Sequence, residues 1–401
     1  MSEENDFETY EKLLRPFTSK EVKESTCGIF KYPASFIPQY SRYIIEKYSK
    51  KNDFVLDPFC GGGTTLVEAN LLGRNSYGLD LSPLARLVTE IATTPIDPSD
   101  LKKIRIDIDF NNSKKHTEYK YCKIFEKYMP KTSIQYLTYV KSQIERIEDT
   151  KIRSFFLVTL LSIVRKCSFI SQRSFNLVPS RLKAYRVSEG GLDIEKTFKK
   201  QIKKNIARMN HFYTHCDKTV VSSLVGSDAK SIPLDNDSID LVVTSPPYIS
   251  TVSYIETQYL ELLLADLVEP SEYSALKKTF LGEISDKKSK YRHLNVIGID
   301  KIDEIIKNLF EKDKVSSYSA YLYFKNLLVI LNEIKRVTKE SAKIGLILEE
   351  NTIICRILIP LCECICEIMR ILGFSKEVDI RRKNSDSETL DIDRIVLFTL
   401  Q

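Results

Sequence analysis

The stretch FVLDPFCGGGTTLVEA, residues 54–69, joins an apolar run to three consecutive glycines and then to a helix-forming segment. The apolar run reads as a buried strand, and Thr64-Thr65-Leu66-Val67-Glu68-Ala69 as the opening turns of a helix. A strand-to-helix corner of bare backbone suits a ligand. Glycine reaches positive φ and lets a ligand lie against the main chain, and the helix N-terminus behind it adds partial positive charge. Two familiar ligand classes fit poorly. A P-loop places a lysine before its Ser/Thr, and GGGTTL has none, while the dinucleotide fingerprint needs a glycine where Leu66 stands.

S-adenosylmethionine is a third class that uses such corners. It carries no phosphate, and its ribose needs an acceptor for two hydroxyls, which folds of this kind supply from a carboxylate at the end of the second strand. NSYGLDLSP, residues 75–83, provides Asp80 there, and Asp228 in VGSDAKSIPL follows a further strand within reach of an adenine amino group. Other apolar, Val- and Ile-rich runs lie at 54–59, 76–81, 220–225, 241–244, 343–348 and 394–400. They read as buried parallel strands. Helical patterns at 37–50, 64–72, 318–337 and 353–372 alternate with them. The alternation predicts an open α/β sheet with helices on both faces. It breaks at 95–217, where long helical patterns such as 152–169 replace strands, and again at 269–315, which is polar and lysine-rich. Both breaks are expected to be insertions, where binding specificity tends to sit.

Bulk properties exclude several classes. The 401 residues are 43% hydrophobic and 28% charged, ordinary for a soluble globular chain. No apolar stretch approaches the roughly 20 residues needed to span a bilayer. The N-terminal MSEENDFETYEK is acidic and polar, unlike a leader, so a cytoplasmic location is expected. Nine scattered cysteines read as reduced thiols. Neither the cluster Cys362, Cys364 and Cys366 nor the pair His211 and His215 has a matching second ligand set, so no metal is expected. The net charge of +6 permits a polyanionic partner. Between residues 165 and 186 six basic side chains, Arg165, Lys166, Arg173, Arg181, Lys183 and Arg186, occur without an acidic one and are interleaved with Phe169, Phe175 and Tyr185. That mixture suits phosphate contact and base stacking, although it also suits a solvated face.

The chemistry is expected at DLVVTSPPYIS, residues 240–250. Pro246 and Pro247 fix φ and remove two N–H donors, so the turn offers chiefly carbonyl acceptors. An exocyclic amino group is a pair of donors whose nitrogen lone pair is delocalised into its ring. If the Ser245 hydroxyl and the Pro246 carbonyl accept those two hydrogens, the nitrogen moves toward sp³ character and its lone pair can face a sulfonium methyl. In-line transfer then needs mainly positioning and electrostatic help. Tyr248 offers a ring for stacking. Such atoms are inaccessible in a duplex, so the base must be flipped out.

DPFCGGGTT and TSPPY together resemble the amino-group DNA methyltransferases of restriction-modification systems, and the Ser-Pro-Pro-Tyr form resembles their cytosine-N4 branch. KYPASFIPQYSRYII, residues 31–45, is similar to that family's first motif; SYIETQYLELLLADL, LNEIKRVTKESAKIGLILEEN and EIMRILGF resemble its later segments, the last preceding a final hairpin. The resemblance covers 26–95 and 220–401. It implies a class I methyltransferase fold, Rossmann-like, with a mostly parallel seven-stranded sheet and a mainly helical insertion. The implied division is an N-terminal extension at 1–25, a cofactor-binding half at 26–95, a helical insertion and candidate target recognition domain at 96–217, and a catalytic half at 218–401 with the polar insertion 269–315 inside it. It also implies S-adenosyl-L-methionine as cofactor, held by Phe36, Asp57, Pro58, Phe59, Gly61, Gly63, Thr64 and Thr65 together with Asp80 and Asp228. Ser245, Pro246, Pro247 and Tyr248 are the implied catalytic residues. Double-stranded DNA is the implied partner, with a cognate restriction endonuclease acting on the same site.

The chain departs from the family pattern at Gly62, usually serine, and at Ser35, usually lysine. Adenine-N6 transfer is the nearest rival, since adenine presents the same kind of amino group and the family mostly has Asp or Asn where Ser245 stands. RNA guanine-N2 transfer uses related Pro-Pro-Tyr loops, usually with an added RNA-binding domain. Carbon-5 transfer would need a Pro-Cys nucleophile, and the chain has no such dipeptide. A DNA-binding module with a dead catalytic fold is the non-enzymatic alternative.

Overall fold

The computed structural model describes residues 24–33, 35–114, 120–171, 177–188, 192–249, 254–281, 291–383 and 392–400. The strands are β1 (Phe54–Asp57), β2 (Asn75–Leu79), β3 (Ser222–Gly226), β4 (Ile239–Thr244), β5 (Thr338–Glu349), β6 (Thr352–Ile354), β7 (Ile357–Ile359), β8 (Phe374–Lys383) and β9 (Ile392–Leu400). Seven of them form one sheet in the order β3-β2-β1-β4-β5-β9-β8, and β6 and β7 form a separate two-stranded ribbon. β1 to β5 pair in parallel, while β9 is antiparallel to both β5 and β8. This is the class I S-adenosylmethionine-dependent methyltransferase fold expected above. The order turns back at β1 and β4, and such a switch point opens a crevice beyond the carboxyl ends of the strands.

Strand residues alternate between the two faces, so each strand serves two cores. Val55, Leu241, Val243 and Ile347 pack on one side against Tyr40, Tyr43 and Ile44 of α1 (Pro38–Tyr48). Leu56, Val242 and Leu346 pack on the other with α7 (Asp300–Lys312), α8 (Lys314–Val337) and α9 (Leu361–Ile371). The glycine corner leads into α2 (Thr64–Leu71), and α3 (Pro83–Thr93) follows β2.

The helical insertion is not a detached lobe. Its long helices α4 (Thr150–Cys167) and α5 (Ile194–His215) share one apolar core with α3 and with α6 (Tyr259–Leu264), the helix that follows the Ser-Pro-Pro-Tyr turn. Both start at an aspartate whose side chain accepts a first-turn N–H, Asp149 from Ile152 at 2.9 Å and Asp193 from Lys196 at 2.8 Å. Asn205, fully buried in α5, donates to Ile29 O and to Thr159 Oγ1, both at 3.1 Å.

One segment differs from the sequence expectation. The helix predicted over 353–372 begins only at Leu361, and residues 352–359 form the β6–β7 ribbon. The run Thr352-Ile353-Ile354 is β-branched, and Pro360 biases its predecessor away from helical φ/ψ, so a short ribbon precedes the helix.

Two neighbouring glycines test why the corner is bare. Gly63 has φ +81°, and a Cβ there would stand 3.1 Å from the backbone of Thr89, whereas at Gly62 it would meet only the Tyr32 side chain at 3.2 Å. Gly63→Ala should therefore destabilise the fold by about 2 kcal/mol. Gly62→Ala should stay within about 1 kcal/mol of wild type, because its backbone suits any residue and a less flexible unfolded chain offsets the contact. Urea denaturation of both variants checks this, and equal losses would contradict it.

Candidate active site

Asp57 ends β1 and is only 1% exposed. Its Oδ1 accepts from Phe59 N at 3.1 Å and from Thr244 Oγ1 at 2.6 Å. The second bond ties the end of β1 to the end of β4. Burial pushes the Asp57 carboxyl up to about 6, and its hydrogen bonds from Thr244, Thr65 and Phe59 pull the other way. Beyond it the chain turns through Gly61 (φ +50°) and Gly63, and Gly63 N donates to Cys60 O at 2.7 Å. The Tyr32 ring lies along this corner, so close that a Cβ at Gly61 would come within 3.1 Å of it.

Asp80 follows β2. One of its oxygens accepts Gly61 N at 2.9 Å and the other Ser82 N at 2.8 Å, which ties the second strand end to the glycine corner. Each oxygen keeps a further lone pair, so the carboxylate fits two vicinal hydroxyls. Burial raises it to about 6 as well, against the two backbone N–H bonds. Asp228 follows β3, accepts Lys230 N at 3.0 Å and has the Lys230 ammonium 3.5 Å away.

The fourth strand end is Ser245-Pro246-Pro247-Tyr248. Pro247 O accepts from Tyr323 Oη on α8 at 3.0 Å, and Tyr248 N donates to Tyr254 Oη at 3.2 Å. Tyr323 is 1% exposed. Two phenols from different elements thus hold the turn through Pro247 and Tyr248. No hydrogen bond joins Ser245 Oγ to a described residue.

All four strand ends open on one cleft of about 920 Å³, a volume that includes its solvent-open mouth. Of the expected residues Phe36, Pro58, Phe59, Gly61 and Thr64 line it, and so do Asp80, Asp228, Ser245 and Pro247. Asp57 and Thr65 are buried behind the wall, where Thr65 Oγ1 donates to Val243 O at 3.2 Å, and Gly63 packs on Thr89. Pro246 is buried and Tyr248 half-buried against the α8 core. Sequence reasoning missed Tyr32, Tyr254, Asn326 and the trio Thr279, Phe280 and Leu281, all of which line the cleft. Tyr32 and Tyr254 stand inside motif-like segments, a usable signal. Asn326 sits in a helix that reads as packing, and the trio comes from the polar insertion.

The basic run is dispersed. Lys166 is half-buried, with Nζ 2.8 Å from Gln201 Oε1. Lys183 Nζ donates to Arg165 O at 2.6 Å and to Ile170 O, and burial brings it down to about 8. The Arg165 guanidinium is held below its usual range by burial and faces Glu261 of α6, whose carboxyl burial pushes up to about 7. Arg181 is exposed. Arg173 and the side chain of Arg186 lie outside the described residues.

Strand order, glycine corner and the carboxylate after β2 are those of the class I S-adenosylmethionine-dependent methyltransferase fold, with that molecule as cofactor. The family described as DNA methylase matches residues 2–88. Type II methyltransferase M.MvaI of Kocuria varians is 25% identical over 364 residues, 81% of this chain and 77% of its own. Type II methyltransferase M.BsoBI of Geobacillus stearothermophilus is 22% identical over 443 residues, 96% and 86% of the two chains. A solved SAM-dependent methyltransferase from Methanosarcina mazei aligns with 92% of this chain and 98% of its own at 8% identity and a TM-score of 0.34, too distant to add to the strand order.

The raised Asp80 pKa sets a pH dependence. If the Asp80 anion accepts from both ribose hydroxyls, the neutral acid, with a proton on one oxygen, cannot, so affinity should be full near pH 8 and fall as pH drops through about 6. Calorimetric titration with S-adenosylhomocysteine across that window checks it. Asp80→Asn should bind at least about tenfold more weakly at pH 8 with little pH dependence left. A wild-type profile that stays flat down to pH 5 would contradict this. In the ligand-free protein the sign reverses. A carboxyl raised above its unfolded value of about 3.9 adds stability that is complete below that pH and lost as pH rises through about 6.

Proposed function

We propose that this chain is a site-specific DNA methyltransferase acting on an exocyclic amino group, and that the group is N4 of a cytosine flipped out of the duplex. The observation that carries the proposal is a proline-stiffened corner opening on the same cleft as Asp80 and the glycine turn. S-adenosylmethionine supplies a methyl group on a positively charged sulfur. The chain's own part is to hold the nitrogen in line with it.

The Ser245 hydroxyl and the Pro246 carbonyl accept the two amino hydrogens, which localises the nitrogen lone pair. Tyr323 occupies the neighbouring Pro247 carbonyl and so leaves a single acceptor geometry at the turn. Tyr254 takes the Tyr248 N–H and fixes the start of the segment that carries the stacking ring. As the N–C bond forms, the S–CH3 bond would break with its electron pair going to sulfur, which would leave as a neutral thioether, and the nitrogen would give its extra proton to water at the open mouth of the cleft. Little nucleophilic help from the protein is needed, because the leaving sulfur is already a cation.

The Ser-Pro-Pro-Tyr form supports cytosine within the amino-group class, and the relatives named Type II methyltransferases support a restriction-modification setting with a cognate endonuclease. Exposed Arg181 is proposed as a phosphate contact.

Incubating the protein with unmethylated DNA and labelled cofactor, then digesting to nucleosides, should give labelled N4-methyldeoxycytidine. Labelled N6-methyldeoxyadenosine would reassign the base, and label in RNA alone would overturn the substrate. Ser245→Ala should lower kcat about a hundredfold with cofactor affinity unchanged. Tyr323→Phe, which acts only through the Pro247 carbonyl, should lower kcat about tenfold. Unchanged turnover in both would remove the corner from the mechanism.

A further inference from the structure

The β6–β7 ribbon carries apolar side chains on its solvent face as well as on its buried one. Its register pairs Thr352 with Ile359, Ile353 with Leu358 and Ile354 with Ile357. Thr352, Ile354 and Ile359 are buried, but the directly opposed Ile353 and Leu358 are 52% and 56% exposed. The tip is equally unusual. Cys355 and Arg356 have φ of +51° and +63°, and both are exposed. Two left-handed residues make the type I′ arrangement, which favours Asn-Gly. A cysteine and an arginine held in that conformation at a solvent-facing tip point to a use for the side chains. Arg356 has no hydrogen-bond or ion-pair partner among the described residues.

The ribbon stands beside the catalytic corner. Thr244, the residue before Ser245, pairs with Leu346 of β5, and β5 runs only three residues further before the chain enters the ribbon. Cys355 Sγ donates to Ser316 Oγ at 3.4 Å on α8, and Tyr323, which holds Pro247, lies seven residues along the same helix. Seven residues of helix span about 10 Å. The tip therefore projects from the carboxyl edge of the sheet, about two helical turns from the loop that receives the base.

We infer that this ribbon is a DNA-contacting element, seated in a groove of the duplex next to the extruded nucleotide. The inference rests on the proposed DNA substrate. A two-stranded ribbon fits the major groove, and apolar side chains stabilise base steps that flipping has unstacked. The Ile353–Leu358 pair supplies the apolar surface, and the exposed Arg356 guanidinium meets the phosphates. Charge and continuity with the base-receiving corner both select DNA as the occupant over a second copy of this chain.

Two full-length variants separate this role from folding. Cys355→Asn with Arg356→Gly gives the tip the residues its backbone favours and removes the cation. Ile353→Ser with Leu358→Ser removes the apolar pair. With unmethylated plasmid DNA as substrate, each should raise KM for DNA about tenfold or more, while affinity for S-adenosylhomocysteine stays within about twofold. The tip variant should melt no lower than wild type. An unchanged KM in both variants, with wild type active, overturns the ribbon's role alone. So does a wild-type dimer that the serine variant converts to a fully active monomer, since that assigns the face to a second copy. Wild-type protein that methylates no DNA overturns the ribbon and the proposed substrate together.

Discussion

The bond between Asp57 and Thr244 joins two strand ends that are 187 residues apart in the chain. β1 carries the glycine corner and β4 the Ser-Pro-Pro-Tyr corner, so the spacing between the two halves of the cleft is set here. A buried carboxylate is a costly way to make such a joint, and its pKa of about 6 is the sign of that cost. It also accepts from several donors at once, which an apolar contact cannot do, and each donor fixes a direction as well as a distance. The joint is therefore directional where packing alone would allow the strand ends to slide.

Tyrosines perform a related task around the cleft. Tyr323 and Tyr254 each offer a hydroxyl to one backbone group of the Ser-Pro-Pro-Tyr turn. Tyr323 is anchored among Phe324, Leu327 and Ile330, so its hydroxyl reaches Pro247 from a rigid support. Tyr254 does the same for the Tyr248 N–H, and Tyr32 lays its ring on the glycine corner. The Ser-Pro-Pro-Tyr corner is thus fixed through Pro247 O and Tyr248 N, bonds separate from the Ser245 hydroxyl. Proline stiffness limits the turn's own conformations, and the phenols fix its position relative to the sheet.

The sequence disclosed the parts whose physics is local. Strand period, glycine freedom and the proline pair each act within a few residues, so the four strand ends and their side chains could be read directly. Tyr323 could not, because a tyrosine among apolar helix residues looks like packing and its partner lies 76 residues away. The ribbon was hidden for a similar reason. A short apolar run is ambiguous between helix and strand, and the tip lacks the glycine that usually marks a hairpin. Pro360 was the available sign. The basic run from 165 to 186 misleads by composition, since charge in a sequence does not say whether a side chain meets solvent. Lys183 instead donates to Arg165 O in the last turn of α4, where a helix leaves carbonyls without partners.

That last point bears on how the two insertions divide their work. The helical insertion is built into the core of the cofactor half through Asn205, and Arg165 faces Glu261 on the helix after the catalytic loop. It contributes none of the described cleft-lining side chains, whereas the polar insertion contributes Thr279, Phe280 and Leu281. A segment that shares a core cannot shift without disturbing that core, so it suits bracing the catalytic loop from behind. On the proposed reading, contact with a flipped base falls to segments standing at the carboxyl edge of the sheet, where the described strand ends open on the cleft. The polar insertion and the β6–β7 ribbon both stand at that edge, on the side of the catalytic strand. On this division the long insertion sets how firmly the loop is held, and the shorter elements at the mouth set what the loop is offered.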